Sequence, residues 1–190
     1  MLGALYLRAA RPSVRLLSAL FLPVFIALLA GQSSAATIRV PGDYPTIGEA
    51  ISAALGGDTI LVDKGTYAER LYLSKPVTLA GADPNETFIY ASGGEATVIV
   101  DATSATVRGF TIVNDDALSL VIRDSRNCIV SENVVVGGMA IVGSTGCVVS
   151  GNRFEPYVSY RPGLTVTLSD GVQVIDLSLI HISEPTRLGM

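Results

Sequence analysis

Short runs in which apolar and polar residues alternate with period two fill most of residues 37–176, and the runs repeat. Asp124-Ser125-Arg126-Asn127-Cys128-Ile129-Val130-Ser131-Glu132-Asn133-Val134-Val135 is echoed by Gly143-Ser144-Thr145-Gly146-Cys147-Val148-Val149-Ser150-Gly151-Asn152-Arg153-Phe154 at a constant offset of 19. A fainter copy, Ala105, Val107, Gly109 and Ile112, lies 23 positions before Cys128, Val130, Glu132 and Val135. Val77, Leu79 and Gly81 precede Ala105, Val107 and Gly109 by 28. A period near 20 residues, carried by β-branched strand formers, predicts a solenoid. The alternation points Cys128, Val130, Asn133 and Val135 inward, and Ile129, Ser131 and Val134 outward. Asn133 over Asn152 then predicts an internal ladder of side-chain amides, in which each buried amide is satisfied by its neighbour and the turn backbone.

One segment has a different period. Thr46-Ile47-Gly48-Glu49 has capping-box form, and Ile47, Ala50, Ile51, Ala54 and Leu55 follow at helical spacing until Gly56-Gly57. This predicts a short amphipathic helix laid over the exposed edge of the first rung. Strands are expected at 37–40, 58–62, 71–73, 76–81 and 87–90, with the regular rungs opening at 96–100. Residues 163–176 read as a rung that is not finished.

The two ends have other characters. Residues 1–36 hold Arg8, Arg11 and Arg15, no acid, an apolar run over 16–30 and the small residues Ser34-Ala35-Ala36. That is the layout of a secretory signal peptide, interrupted by Pro23 and short for a membrane span. Residues 177–187, from Leu177 to Arg187, resemble the translation of a transposon adapter used in sequencing libraries. The expected division is a signal peptide at 1–36, a solenoid domain at 37–176 and a non-native tail at 177–190, which carries the only histidine, His181.

Composition changes the picture only modestly. There is no Trp, while Gly numbers 19, which suits short strands and tight turns. Residues 37–176 carry 9 Lys+Arg against 16 Asp+Glu, a balance of −7. Such a surface argues against nucleic acid and anionic lipid as partners. A polyanionic ligand would need local basic groups or bridging cations.

Tyr44-Pro45-Thr46-Ile47-Gly48-Glu49-Ala50-Ile51, Gly57-Asp58-Thr59-Ile60-Leu61-Val62, Gly65-Thr66-Tyr67-Ala68-Glu69 and Thr78-Leu79-Ala80-Gly81 together resemble the N-terminal cap and first rungs of pectinesterases. These enzymes belong to the pectin lyase-like superfamily. The later Asn-bearing rungs resemble the carbohydrate-binding and sugar-hydrolase repeats, and the periplasmic copper-maturation proteins, of the same superfamily. The resemblance implies an all-β, single-stranded right-handed parallel β-helix of about five rungs, with a short N-terminal capping helix and an incomplete C-terminus.

It also implies a secreted, periplasmic or cell-surface protein, monomeric when full length and free of the membrane after signal cleavage. The implied task is recognising or processing an acidic, pectin-like polysaccharide. The alternative is a non-catalytic structural or accessory module, including the copper-maturation kind. The esterase motifs themselves are not kept. Asp116-Ala117-Leu118-Ser119-Leu120 stands where a pectinesterase has its oxyanion-supporting Gln, and Gly138-Met139-Ala140-Ile141 where it has its acid/base carboxylate. No counterpart of the nucleophilic Asp motif is found. Any activity is therefore expected to be that of a lyase or glycoside hydrolase.

Four carboxylates are candidates for such chemistry. Asp115 and Asp116, after Asn114, could hold Ca²⁺ in a lyase-like site or act as acid and base on a glycoside. Asp101 and Asp124, 23 apart, are expected to stack on consecutive rungs beside Arg123 and Arg126, which with Tyr157 are the candidate ligand contacts. Asp and Asn also favour turns for their own sake. Tyr67, Tyr72, Tyr90, Tyr157 and Tyr160 could stack on sugars from an exposed face. Cys128 and Cys147, equivalent inward positions on adjacent rungs, could form a disulfide or sit as two stacked buried thiols. Apart from Ca²⁺ in the lyase-like case, no cofactor is expected and no metal site is assigned.

Overall fold

The computed structural model describes residues 34–155 and 163–179. The signal-peptide reading for 1–33, Tyr157, Tyr160 and His181 lie outside them. The chain enters through β1 (Thr37–Val40) and α1 (Ile47–Ala53), then coils through successive turns of three strands. The first turn is β2 (Thr59–Val62), β3 (Gly65–Tyr67) and β4 (Leu71–Leu73), and the second is β5 (Thr78–Gly81), β6 (Thr87–Ala91) and β7 (Ala96–Val100). The third is β8 (Thr106–Arg108), β9 (Thr111–Asn114) and β10 (Leu118–Arg123). The fourth is β11 (Ile129–Ser131), β12 (Val134–Val136) and β13 (Met139–Val142), and the fifth is β14 (Val148–Ser150), β15 (Arg153–Glu155) and β16 (Leu164–Thr167). A sixth turn begins with β17 (Gln173–Ile175) and β18 (Ser178–Leu179), the latter pairing with Arg153 and Phe154 of β15.

Stacking these turns gives three parallel sheets among the described residues. The first is β1-β2-β5-β8-β11-β14-β17, the second β3-β6-β9-β12-β15-β18 and the third β4-β7-β10-β13-β16. This is the parallel β-helix expected from the repeats, and the offsets of 28, 23 and 19 reappear as the registers Leu79↔Val107, Val107↔Val130 and Val130↔Val149.

The inward residues of all three sheets make one apolar core, with Phe110, Leu79, Ile112, Leu120 and Ile141 among its fully buried members. Cys128, Val130, Asn133 and Val135 point into it, while Ile129 is exposed and Ser131 half-buried. Val134 is an exception among the outward positions, since it too is buried.

Two polar ladders run through this core. Asn133 Oδ1 accepts from Phe110 N (3.1 Å), and Asn152 Oδ1 accepts from Asn133 N (3.0 Å) and Asn133 Nδ2 (3.1 Å). A serine ladder parallels it at another corner: Ser125 Oγ accepts from Ala102 N, Ser144 Oγ from Ser125 N and Ser169 Oγ from Ser144 N, at 3.0, 3.2 and 3.1 Å. The serine ladder reaches the sixth turn, but the amide ladder does not, because Leu177 sits where the next Asn would be. Replacing Leu177 with Asn should offer Asn152 the acceptor that Asn152 offers Asn133, and raise stability by about 1 kcal/mol. The midpoint of urea unfolding reads this directly; an unchanged or lower midpoint would refute ladder geometry at that turn.

The cap differs from expectation at both ends of its helix. Thr46 Oγ1 accepts from Glu49 N (3.2 Å), as a capping residue should, but the second carboxylate partner comes from Glu69. Its Oε1 and Oε2 accept from Ile47 N (3.0 Å) and Gly48 N (2.8 Å). At the other end the helix stops at Ala53, short of Gly56-Gly57, and Leu55 is 63% exposed instead of joining the apolar face. Lys75 Nζ donates there to the carbonyls of Ile51, Ser52 and Ala54 (3.1, 2.7 and 2.8 Å). A carboxylate at the first amides and an ammonium at the last carbonyls complement the helix dipole. The buried Asp58 ties the region together by accepting from Ala36 N and Leu55 N, two bonds that hold its carboxyl below the ordinary value of 3.8.

Candidate functional site

On the outer face of the third sheet, Tyr72 of β4, Ile99 of β7, Val121 of β10 and Ala140 of β13 lie in register across the strands. Ile99, Val121 and Ala140 are buried and, with Ala96, form a small apolar cluster separate from the core. Tyr72, on the outermost of these strands, is 48% exposed.

Arg123 closes over this row. Its guanidinium carbon is 5.9 Å from the centre of the Tyr72 ring, although β4 and β10 are two strand spacings apart, about 9.6 Å. The side chain must therefore stretch across β7. Its Nη1 donates to both carboxylate oxygens of Glu95 (2.8 Å each), and its Nε lies 3.7 Å from Asp101 Oδ2. The Tyr72 hydroxyl donates to the same Asp101 oxygen (2.7 Å). The bond to Asp101 pushes the Tyr72 phenol up, and Glu95 raises Arg123 above its usual value. The result is a neutral phenol and a permanently charged guanidinium locked between two carboxylates, which fixes the plane of the ring.

Beside Tyr72, on the side of α1, a depression of about 500 Å³ is lined by Gly48, Ile51, Ser52, Arg70, Leu71, Tyr72, Ser74 and Lys75. Arg70 Nη2 donates to the carbonyls of Ser92 and Gly93 (3.0 and 2.9 Å), and Lys75 to the helix carbonyls already described. Among the described residues neither cation has a carboxylate within 4.0 Å.

Of the residues singled out from sequence, Asp101 and Arg123 meet, but Asp101 and Asp124 do not stack. In the third sheet the register is Val100↔Ile122, an offset of 22, while the next corner pairs Thr103 with Arg126, an offset of 23. The added residue is Asp124, which turns the corner with φ 49°, so Asp101 faces Arg123 instead. Arg126 is exposed on that same corner.

Asp115 and Asp116 lie at the corner between the second and third sheets. Tyr90 donates to Asp115, and Ser92 Oγ to Asp116 Oδ2 (3.0 Å). Asn114, which is buried, shapes that corner: its Oδ1 accepts from Asp116 N (3.1 Å) and Ala117 N (2.8 Å). Among the described residues no group of three His, Cys, Asp or Glu side chains is placed to hold a metal ion.

Cys128 and Cys147 are buried free thiols. The Cys128 thiol donates to the Ala102 carbonyl (2.9 Å) and is pushed up by burial. Of the motif positions compared with pectinesterases, Met139 and Ile141 face the core, and Ala140 carries no carboxylate on the outer face. Glu95, Arg70 and Lys75 were not legible as site residues, because their partners lie on turns of different length.

No family model matches the sequence, and no curated protein does. Solved structures do. Pectin methylesterase PemA from Erwinia chrysanthemi superposes with a TM-score of 0.64 at 17% identity, over 81% of this chain and 57% of that enzyme. Pectin methylesterase from Yersinia enterocolitica gives 0.57 at 22% identity, over 75% and 58%. A mutant pectin methylesterase in complex with hexasaccharide IV gives 0.54 at 17%, over 80% and 67%. The chain thus spans less than two thirds of the length of the first two enzymes, and what it shares with all three is the parallel β-helix fold.

Proposed function

We propose that this protein is exported and recognises an acidic, pectin-like polysaccharide laid along the outer face of the third sheet. One observation carries the reading. A half-exposed Tyr72 ring is fixed in orientation by Asp101 and Arg123 at the mouth of a depression of about 500 Å³, which is room for a sugar unit. An aromatic face held rigidly beside polar groups is what an amphipathic sugar ring needs, because ordering the ring has been prepaid by the fold. Recognition is favoured over esterase chemistry. Among the described residues the row Ile99, Val121 and Ala140 is apolar, and Glu95 and Asp101 beside it both engage Arg123. Among the described residues no helix is long and apolar enough to cross a membrane.

Affinity electrophoresis through gels containing polygalacturonate or pectin tests this. Tyr72→Ala should weaken retardation about tenfold, the equivalent of about 1.4 kcal/mol of ring contact. Tyr72→Phe, which loses only the hydroxyl, should keep most of it. If the wild-type protein migrates unretarded through every pectic polymer, the proposal fails.

A further inference from the structure

We infer that the depression between α1 and β4 is a carboxylate subsite, built to distinguish a free uronate from its methyl ester. The inference rests on the polysaccharide reading and deepens it. Of the two cations bordering the depression, Arg70 differs from Arg123 in one respect. Arg123 is bracketed by Glu95 and Asp101, so its charge is already answered. Arg70 has only backbone carbonyls as hydrogen-bond partners, which orient it without cancelling its charge, while the Lys75 charge is partly answered by the Asp58 carboxylate.

The donors are divided between the two. Lys75 gives its three N–H groups to Ile51, Ser52 and Ala54 and its charge acts on Asp58, so the site's ligand donors come from Arg70. Arg70 spends only Nη2, on Ser92 and Gly93, and keeps Nε and Nη1 for a ligand. Both two-donor forks of a guanidinium include Nη2, so what remains is single directed donors on a charge that no carboxylate neutralises. Glu69, which approaches Gly48 at the rim, has both oxygens engaged by Ile47 N and Gly48 N. Leu71 and Ile51 give the depression apolar flanks, and Tyr72 supplies a ring wall. An esterified unit has the shape to enter but offers no negative charge to Arg70. A free uronate offers charge and two acceptors, so the site should rank acid above ester.

The test uses the full chain and three polymers: polygalacturonate, fully methyl-esterified pectin and neutral galactan. Wild-type protein should bind the acid about tenfold more tightly than the ester, and the gap should close near 0.5 M NaCl, where exposed charges are screened. Arg70→Gln should bring acid and ester within about twofold of each other, mainly by weakening the acid. Arg70→Lys, which keeps the charge but loses the directed planar donors, should fall between. An unchanged acid preference in Arg70→Gln, or equal wild-type binding of acid and ester, overturns the subsite and leaves the polysaccharide reading standing. Absence of wild-type binding to any of the three overturns both.

Discussion

Asn133→Ala should destabilise the protein by about 3 kcal/mol, the cost of stranding more than one buried polar group. Asn133 is buried, and its Oδ1 is the acceptor for Phe110 N (3.1 Å). Its Nδ2 serves the carbonyls of Val107 (3.0 Å) and Ser131 (2.9 Å) and Oδ1 of Asn152 (3.1 Å). Alanine removes an acceptor and a donor from the third turn and donors from the fourth and fifth, inside the core. Asn133→Asp separates shape from chemistry. It can still accept from Phe110 N, but it turns an acceptor toward the Val107 carbonyl and Asn152 Oδ1.

Burial against those oxygens should raise the introduced carboxyl above the ordinary Asp value of about 3.9. A raised folded-state value means that charging costs more in the folded chain. The charging part of the penalty is therefore absent below about pH 3.9 and grows as pH rises through the raised value, on top of a pH-independent loss of the Nδ2 donors. Urea unfolding at several pH values reads both variants. A loss under about 1 kcal/mol for Asn133→Ala, or a pH-independent difference for Asn133→Asp, would refute the ladder's role.

The ladder was legible in the sequence because Asn133 and Asn152 lie between strands of the first and second sheets that both run at an offset of 19. The same arithmetic misplaced Asp124. Between the second and third turns the third sheet runs at an offset of 22 and the corner that follows at 23, and nothing local marks where the extra residue enters. The site suffered most. Tyr72 reaches Asp101 across 29 residues, Arg123 reaches Glu95 across 28 and Arg70 reaches Ser92 across 22, so no repeat period aligns them. The helix stop was misplaced for a related reason. Lys75, 21 residues beyond Ala54, satisfies the last carbonyls and ends the helix before the glycines can. Local pattern fixes what a residue faces within its own turn, while partners across turns depend on how many residues each corner consumes.

Gly81→Ala should cost at least about 3 kcal/mol, at the upper end of what overpacking does. The cause is space, since this glycine's φ is not in the left-handed region. A Cβ at Gly81 would stand 2.2 Å from the Gly109 carbonyl oxygen and 2.9 Å from Phe110 Cδ1. The approach is mutual, because a Cβ at Gly109, whose φ is +77°, would stand 2.7 Å from the Gly81 oxygen. These two residues share the offset of 28 that joins β5 to β8, so the second and third turns touch there backbone to backbone. Neither backbone can yield without stretching the ladder between them, and Phe110 beneath is fully buried with no room to turn aside. Gly57→Ala is the control: its φ is +94° but nothing lies within 4 Å of the added carbon, so it should show backbone strain alone, about 1 kcal/mol. If both variants lose the same modest amount in urea, the close approach of the turns is not what glycine serves at position 81. Because Gly81 lies in the first sheet and Tyr72 in the third, the fraction of Gly81→Ala that remains folded should bind polygalacturonate as wild type does. That outcome would separate the residues that hold the coil together from those on the face we assign to the ligand.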